Sequence, residues 1–329
     1  MSDIRWTAEN AEAWYRSQPW LVGCNFIPST AINQLEMWQA TTFDPDTIGR
    51  ELGWAAGIGM NAVRVYLHDL VWQADAQGFK RRIDQYLALA AGRGIRTLFV
   101  LFDDCWNTEP KLGQQPEPIP GVHNSGWMQS PGSKLVTDPG GWARLERYVK
   151  DVLAAFAADE RILMWDLYNE SGNNGLGDRS LALLQAAFGW ARAVRPQQPL
   201  TAGVWFDNQP ITDFQVEASD VITFHNYNDA SSLSEQIRRL KALGRPVICT
   251  EYMARTRGSR FVTHLPIFKQ EQVGCFNWGL VSGKTQTIYP WGSPPGGPEP
   301  ELWFHDIFHK DGTPYDSAEV ELIKKLRKE

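Results

Sequence analysis

The sequence predicts a single (β/α)8 TIM barrel spanning residues 1–329, and three observations carry that expectation. Eight short apolar or β-branched runs alternate along the chain with eight amphipathic stretches. No linker or internal repeat interrupts the alternation. The length of 329 residues suits one barrel, and 43% hydrophobic residues give it ample core.

The first strand is expected at 20–26 (WLVGCNF), with a long loop after it and a helix over 45–58. The second strand, 61–67 (NAVRVYL), precedes a helix over 79–93, and the third, 95–102 (IRTLFVLF), precedes one over 140–157. Strand four covers 162–168 and is followed by a helix over 178–194; strand five, 199–205 (PLTAGVW), is followed by one over 208–217. Strands six (220–224), seven (246–250) and eight (273–280) pair with helices over 232–243, 260–271 and 316–328. Capping signals such as DPDTIGREL open several of these helices, and glycines close them. Two connections exceed the usual few residues: 103–139, and 281–315 with its YPWGSPPGGPEPELW. Both follow strands, so both belong to the face where barrels build their sites. Their interspersed Trp and His predict ordered lids.

Composition excludes several function classes. A net charge of −6 with no dense Lys/Arg block argues against nucleic acid, and no run approaches the ~20 apolar residues of a membrane span. The first twenty residues lack a basic start followed by an apolar run, so a cytoplasmic location is expected. The four cysteines show no CxxC spacing, and three sit in strand-like apolar runs as small hydrophobes. His305 and His309 have a helical i, i+4 spacing but no intervening Glu of the HExxH kind, and no Gly-rich phosphate loop follows a strand. No metal and no organic cofactor is expected. Oligomeric state is left open.

Fifteen Trp is the unusual feature of the composition. Trp38, Trp72, Trp106, Trp127, Trp205, Trp278, Trp291 and Trp303 fall in apparent loops or at strand ends. They either pin long loops or offer flat faces to the C–H face of a sugar ring.

Side chains at the C-terminal ends of barrel strands converge on one mouth. Those positions hold Asn25, Arg64, Asp103 and Asp104, Asn169 and Glu170, Trp205, His225 and Tyr227, Glu251, and Trp278. Glu170 follows strand four and Glu251 strand seven, which places two carboxylates across the mouth. Cleavage of a glycosidic bond needs such a pair, one acid for the leaving oxygen and one carboxylate facing the oxocarbenium-like centre.

These segments resemble glycoside hydrolase family 5 and its clan of retaining (β/α)8 glycosidases. The resemblance rests on NAVRVYL with Arg64, WDLYNE with Asn169 and Glu170, FHNY with His225 and Tyr227, VICTE with Glu251, and CFNWGL with Trp278. It implies that Glu170 is the acid/base and Glu251 the nucleophile. Arg64 and Tyr227 would then donate to Glu251, Asn169 would hold a sugar hydroxyl, His225 would orient the acid or substrate, and Trp278 would floor the first subsite. Two departures stand out: Asp103 and Asp104 replace the family's usual His after strand three, and Ser171 replaces the Pro that commonly follows Asn–Glu. Asp103 or Asp104 is therefore expected to grip hydroxyls of the terminal sugar. The loop NFIPSTAINQLEMWQ resembles a segment of clan β-mannosidases, with Glu36 and Trp38 expected to cap a pocket; Trp106 and Trp205 are expected to stack on substrate. The expected activity is exo-acting hydrolysis of β-linked manno- or gluco-configured oligosaccharides or glycosides. The alternatives are an endo-acting glycanase and a catalytically silent carbohydrate-binding barrel. A metal-dependent barrel hydrolase would need His-x-His after strand one, where GCNFIPS stands.

Overall fold

The computed structural model describes residues 5–328; residues 1–4 and 329, the ends of the expected 1–329 domain and the start of the stretch read for a leader, lie outside them. Eight parallel strands form one sheet: β1 (Val22–Asn25), β2 (Ala62–Tyr66), β3 (Arg96–Asp103), β4 (Ile162–Asn169), β5 (Leu200–Thr201), β6 (Ile222–His225), β7 (Val247–Tyr252) and β8 (Gly274–Trp278). Their order, β5-β4-β3-β2-β1-β8-β7-β6, leaves β5 and β6 to meet. They do so through a Val204–Phe224 bridge, in which Val204 N donates to Thr223 O and His225 N to Val204 O, each at 2.9 Å. That closes the barrel. Strand five is shorter than the 199–205 run predicts: its ladder pairing ends at Thr201, and only the isolated Val204 bridge continues it.

Helices follow the strands at Pro45–Gly57, Ala76–Ala91, Ala143–Ala155, Leu181–Val194, Gln209–Ala218, Ala230–Lys241, Phe261–Gln270 and Ser317–Lys328. Their apolar stripes bury against the outward faces of the strands, Val63, Val65, Phe99, Trp165 and Cys249 among them. A second apolar cluster fills the barrel itself, from Leu21, Ala62, Leu98, Met164, Ile248 and Phe276. Alternation along β2 therefore sends Ala62, Arg64 and Tyr66 inward. The sequence reading assigned no element before residue 20, yet Ala8–Arg16 is a helix capped by Thr7. It closes the floor of the barrel: Trp14 and Tyr15 pack on the interior cluster, and the Tyr15 hydroxyl accepts from Gly274 N and donates to Gln272 O, both at 2.8 Å.

One local irregularity decides the chemistry. On β7, Ile248 points into the barrel and Cys249 out of it, so strict alternation would turn Glu251 outward. The pairing instead runs Phe224↔Cys249 then His225↔Glu251 on one side, and Cys249↔Cys275 then Tyr252↔Asn277 on the other. One extra residue on β7 at this point is a β-bulge, and it re-aims Glu251 into the mouth.

The two long connections are ordered and knit to each other. Asn124 N donates to Thr285 O at 2.8 Å, Gly296 N to Pro120 O at 2.7 Å, and the Gln286 side chain bridges Gly121 N and Ile119 O. The loop after β1 joins them through Lys284 Nζ to Glu36 Oε1 at 2.7 Å.

Candidate active site

Arg64 is the base on which the site is built. Fully buried at the barrel axis, its guanidinium donates to Asp166 Oδ2 at 2.7 Å, Asn169 Oδ1 at 2.7 Å, Asn25 Oδ1 at 2.9 Å and Glu251 Oε1 at 2.7 Å. A planar fork of five donors can serve several carboxylate and amide oxygens at once, which lysine cannot. Tyr66 donates to Glu251 Oε1 at 2.9 Å and Tyr227 to Oε2 at 2.8 Å. Burial, with the neighbouring carboxylate, pushes both phenols well above their ordinary range, so both remain donors. Glu251 thus stands fixed by three partners with one edge toward the cavity.

Glu170 follows β4 with a left-handed backbone (φ 43°), one of four such non-glycine positions that border the cavity, with Trp106 (68°), Asn124 (49°) and Asn174 (50°). His225 Nδ1 lies 2.9 Å from Glu170 Oε1 and 3.5 Å from Glu251 Oε2, between the two carboxylates. Asn173 Nδ2 donates to Glu170 Oε2 at 2.7 Å, and the Cys105 thiol reaches the same oxygen at 3.2 Å. Burial raises the Glu170 carboxyl, but hydrogen bonds from His225, Cys105 and Asn173 outweigh it and hold the group below its ordinary value. Donor atoms of Glu170, His225 and Glu251 all fall within 4.8 Å of one another. A cation at that point would sit beside the Arg64 guanidinium, so this trio suits proton and carbon chemistry better than a metal.

The carboxylates border a cavity of about 440 Å³, within the usual range for small-molecule sites. Trp278 forms its floor against Tyr66 and Trp127; Trp106, Trp205 and Trp291 stand around it, with His123, Arg257 and His305 on the far wall. Trp205 is stacked on Phe206 at 4.1 Å and anchored by Nε1 to Ser171 O. His123 and His305 spend Nδ1 on the carbonyls of Tyr289 and Met253, which join the lids to the wall. Burial lowers both imidazoles, His123 to about 4, so they are neutral.

The structure brings together Glu170, Glu251, Asn169, His225, Tyr227, Trp278, Trp106 and Trp205 at one cavity, with Arg64 directly beneath Glu251. Four expectations are corrected. Asp103 and Asp104 are buried and do not border the cavity. Asp103 accepts from Trp127 Nε1, Asn169 Nδ2 and Cys105 N, so it braces the floor and the Asn169 amide. Asp104 points away, accepting from Tyr168, Gly172 N and Ser180. Trp38 lies in the core against Phe79 and Tyr86, its indole N–H on Tyr66 O, because the helix Gln34–Trp38 turns it inward. Glu36 is spent on Ile32 N and Lys284 and caps no pocket, although it ties two lids together. Sequence reasoning missed Tyr66, Cys105 and Asn173 as site residues. Tyr66 had a signal: it lies two residues beyond Arg64 on a strand and shares its face.

No family model and no curated protein matches the chain. Solved structures do. A GH5_18 protein from Streptomyces cattleya, crystallised in complex with Manb1-4GlcNAc, is 15% identical, with 94% of this chain and 81% of that one covered and a TM-score of 0.65. An exo-β-1,4-mannosidase from Opitutaceae bacterium strain TAV5 is 17% identical at a TM-score of 0.65, and 94% of this chain spans 59% of it. An endo-β-1,4-mannanase from Thermotoga petrophila is 15% identical over 95% of this chain and 77% of its own, at a TM-score of 0.60. At such identities the likeness establishes the (β/α)8 barrel, and two of these three structures carry the names of a β-mannosidase and a β-mannanase.

Proposed function

We propose that the chain is a retaining β-glycosidase of the glycoside hydrolase family 5 type. The observation that carries the reading is the opposed pair Glu170 and Glu251, with oxygens within 4.8 Å across a sugar-sized cavity. Double displacement uses carboxyl groups about 5 Å apart, whereas inversion needs a gap of roughly 6.5–9.5 Å for a water. In the first half-reaction Glu251, aimed by Arg64, Tyr66 and Tyr227, attacks the anomeric carbon while Glu170 protonates the leaving oxygen. His225 Nδ1, 2.9 Å from Glu170 Oε1, orients the acid for that transfer. In the second half-reaction Glu170 takes a proton from a water whose oxygen attacks the anomeric carbon; the bond to Glu251 breaks, the sugar leaves, and Glu170 is protonated again for the next cycle. A silent binding barrel has no use for three donors trained on a single carboxylate.

Exo action on short β-linked manno- or gluco-configured substrates belongs to the same proposal. The lids after β1, β3 and β8 are hydrogen-bonded to one another and wall one end of the mouth, which favours a pocket over a through-going cleft. The names of the similar structures favour a mannoside. The endo reading draws on the likeness to the endo-mannanase. A cytoplasmic setting fits the four free, buried cysteines. The test is a panel of nitrophenyl β-glycosides followed by product sizing on mannan oligomers and polymer. One small sugar released from the outset supports the reading; rapid viscosity loss with mixed early oligomers overturns the exo assignment, and no hydrolysis of any β-glycoside overturns the enzyme.

A further inference from the structure

Three of the four cysteines, Cys24, Cys249 and Cys275, are strand residues packed in the core. Cys105 is different: it follows β3 and borders the cavity beside Glu170. Its sulfur accepts from Asn169 Nδ2 at 3.4 Å and Asn173 Nδ2 at 3.3 Å, and stands 3.2 Å from Glu170 Oε2. With the sulfur lone pairs taken by two amides, the S–H is left to point at the carboxylate.

The other partner on that oxygen, Asn173 Nδ2, can only donate, and Asn173 Oδ1 already accepts from Asn174 N, so this contact serves only an oxygen with a free lone pair. A catalytic acid/base must pass through both states. A thiol can face both, donating its S–H to the carboxylate and, once the carboxyl is protonated, accepting its O–H through sulfur in place of one of the two amide N–H contacts. We propose that Cys105 is a positioning residue for Glu170, holding Oε2 in both protonation states and helping to set the pH range over which Glu170 carries its proton. This rests on the acid/base reading of Glu170. Burial, with Asp103, Glu170 and Glu251 nearby, pushes the Cys105 thiol well above its ordinary range, so it remains a neutral thiol while Glu170 titrates. The charged and titratable groups facing Glu170 are His225 from β6 and Glu251 from β7; Arg64, Tyr66 and Tyr227 stand behind Glu251, and Asp103 beneath Cys105.

The test compares Cys105→Ser and Cys105→Ala in the full chain. A serine hydroxyl keeps both hydrogen-bonding roles, and alanine keeps neither. In protein carrying 13C-carboxyl glutamate, with Glu170 assigned by Glu170→Gln, the Glu170 titration midpoint is expected to rise by about half a pH unit or more in the Ala variant. In the Ser variant it stays at or below the wild-type value. On an aryl glycoside with a poor leaving group, the alkaline limb of kcat/KM should move up in parallel for Ala. There kcat should fall about tenfold with KM held, and activated leaving groups should be spared. An unchanged midpoint in Cys105→Ala, or a Ser variant that behaves like Ala, overturns the proposal. The carboxyl titration needs no turnover, so it decides this point even if every glycoside is refused, an outcome that would sink the glycosidase reading instead.

Discussion

Asp104 offers a sharp test because its position was misread from sequence and its burial has a measurable consequence. Its carboxyl is fully buried, and burial, opposed by hydrogen bonds from Ser180, Tyr168 and Gly172, pushes it up to about 7. An aspartate in the unfolded chain titrates near ~3.9. The folded state therefore binds a proton that the unfolded state has lost across this window. Stability from Asp104 is fully present below about pH 4 and declines as pH rises to about 7. At about 1.4 kcal/mol per pH unit, the decline is on the order of 4 kcal/mol. Asp104→Asn removes the titration and keeps much of the geometry, since the amide oxygen can still accept from Gly172 N and Ser180 while its NH2 faces the Tyr168 oxygen. Urea unfolding of wild type and variant at matched pH isolates this one group, because the other buried acids are common to both. The variant's stability relative to wild type should climb by several kcal/mol between pH 4.5 and 7.5. Kinetic constants should change by less than about threefold, since Asp104 does not touch the cavity. A stability difference that is flat with pH would refute the burial argument, and a large rise in KM would restore Asp104 to the substrate.

Other expectations concern the site and the core. Tyr66→Phe removes one of three donors to Glu251 and should lower kcat about tenfold to a hundredfold with little change in KM, read by steady-state kinetics. Glu251→Ala should abolish turnover, with azide restoring some of it as the α-glycosyl azide. Glu170→Ala should slow poor leaving groups most and, with azide, give the β-azide; a loss under about tenfold for either Glu would break the assignment. Trp38→Ala, at a fully buried position among aromatic rings, should cost about 3–5 kcal/mol in denaturant unfolding and leave KM alone; a rise in KM without destabilisation would return Trp38 to the pocket.

Much of the barrel was legible because parallel strands buried on both faces read as continuous apolar runs; LFVLF and ILMW do so plainly, and VRVY does apart from Arg64. The carboxylates were legible because each ends such a run. What stayed hidden was direction. Nothing in VICTE announces the bulge that turns Glu251 inward, and nothing in PLTAGVW announces that the ladder stops at Thr201. Strand alternation separates Asp103 from Asp104 but, counted from inward Leu98 and Val100, would choose Asp104 for the mouth; Leu101 and Phe102 both lie in the outer core, so alternation slips just before Asp103. A capping signal was present but unused. The run Asn33-Gln34-Leu35-Glu36 has capping-box spacing, and the structure uses a variant of it: the Asn33 side chain accepts from Glu36 N, and Glu36 accepts from Ile32 N, one residue before the cap. That spends Glu36 on a helix start and turns Trp38 into the core.

The most direct test of the account is the configuration of the first-formed product. Proton NMR during rapid hydrolysis of an accepted nitrophenyl β-glycoside resolves the new anomer before mutarotation. Glu170 and Glu251 at their observed separation predict that the β-anomer appears first, by retention through a glycosyl–Glu251 intermediate. Initial appearance of the α-anomer would mean a single inverting displacement and would contradict the roles assigned to both carboxylates.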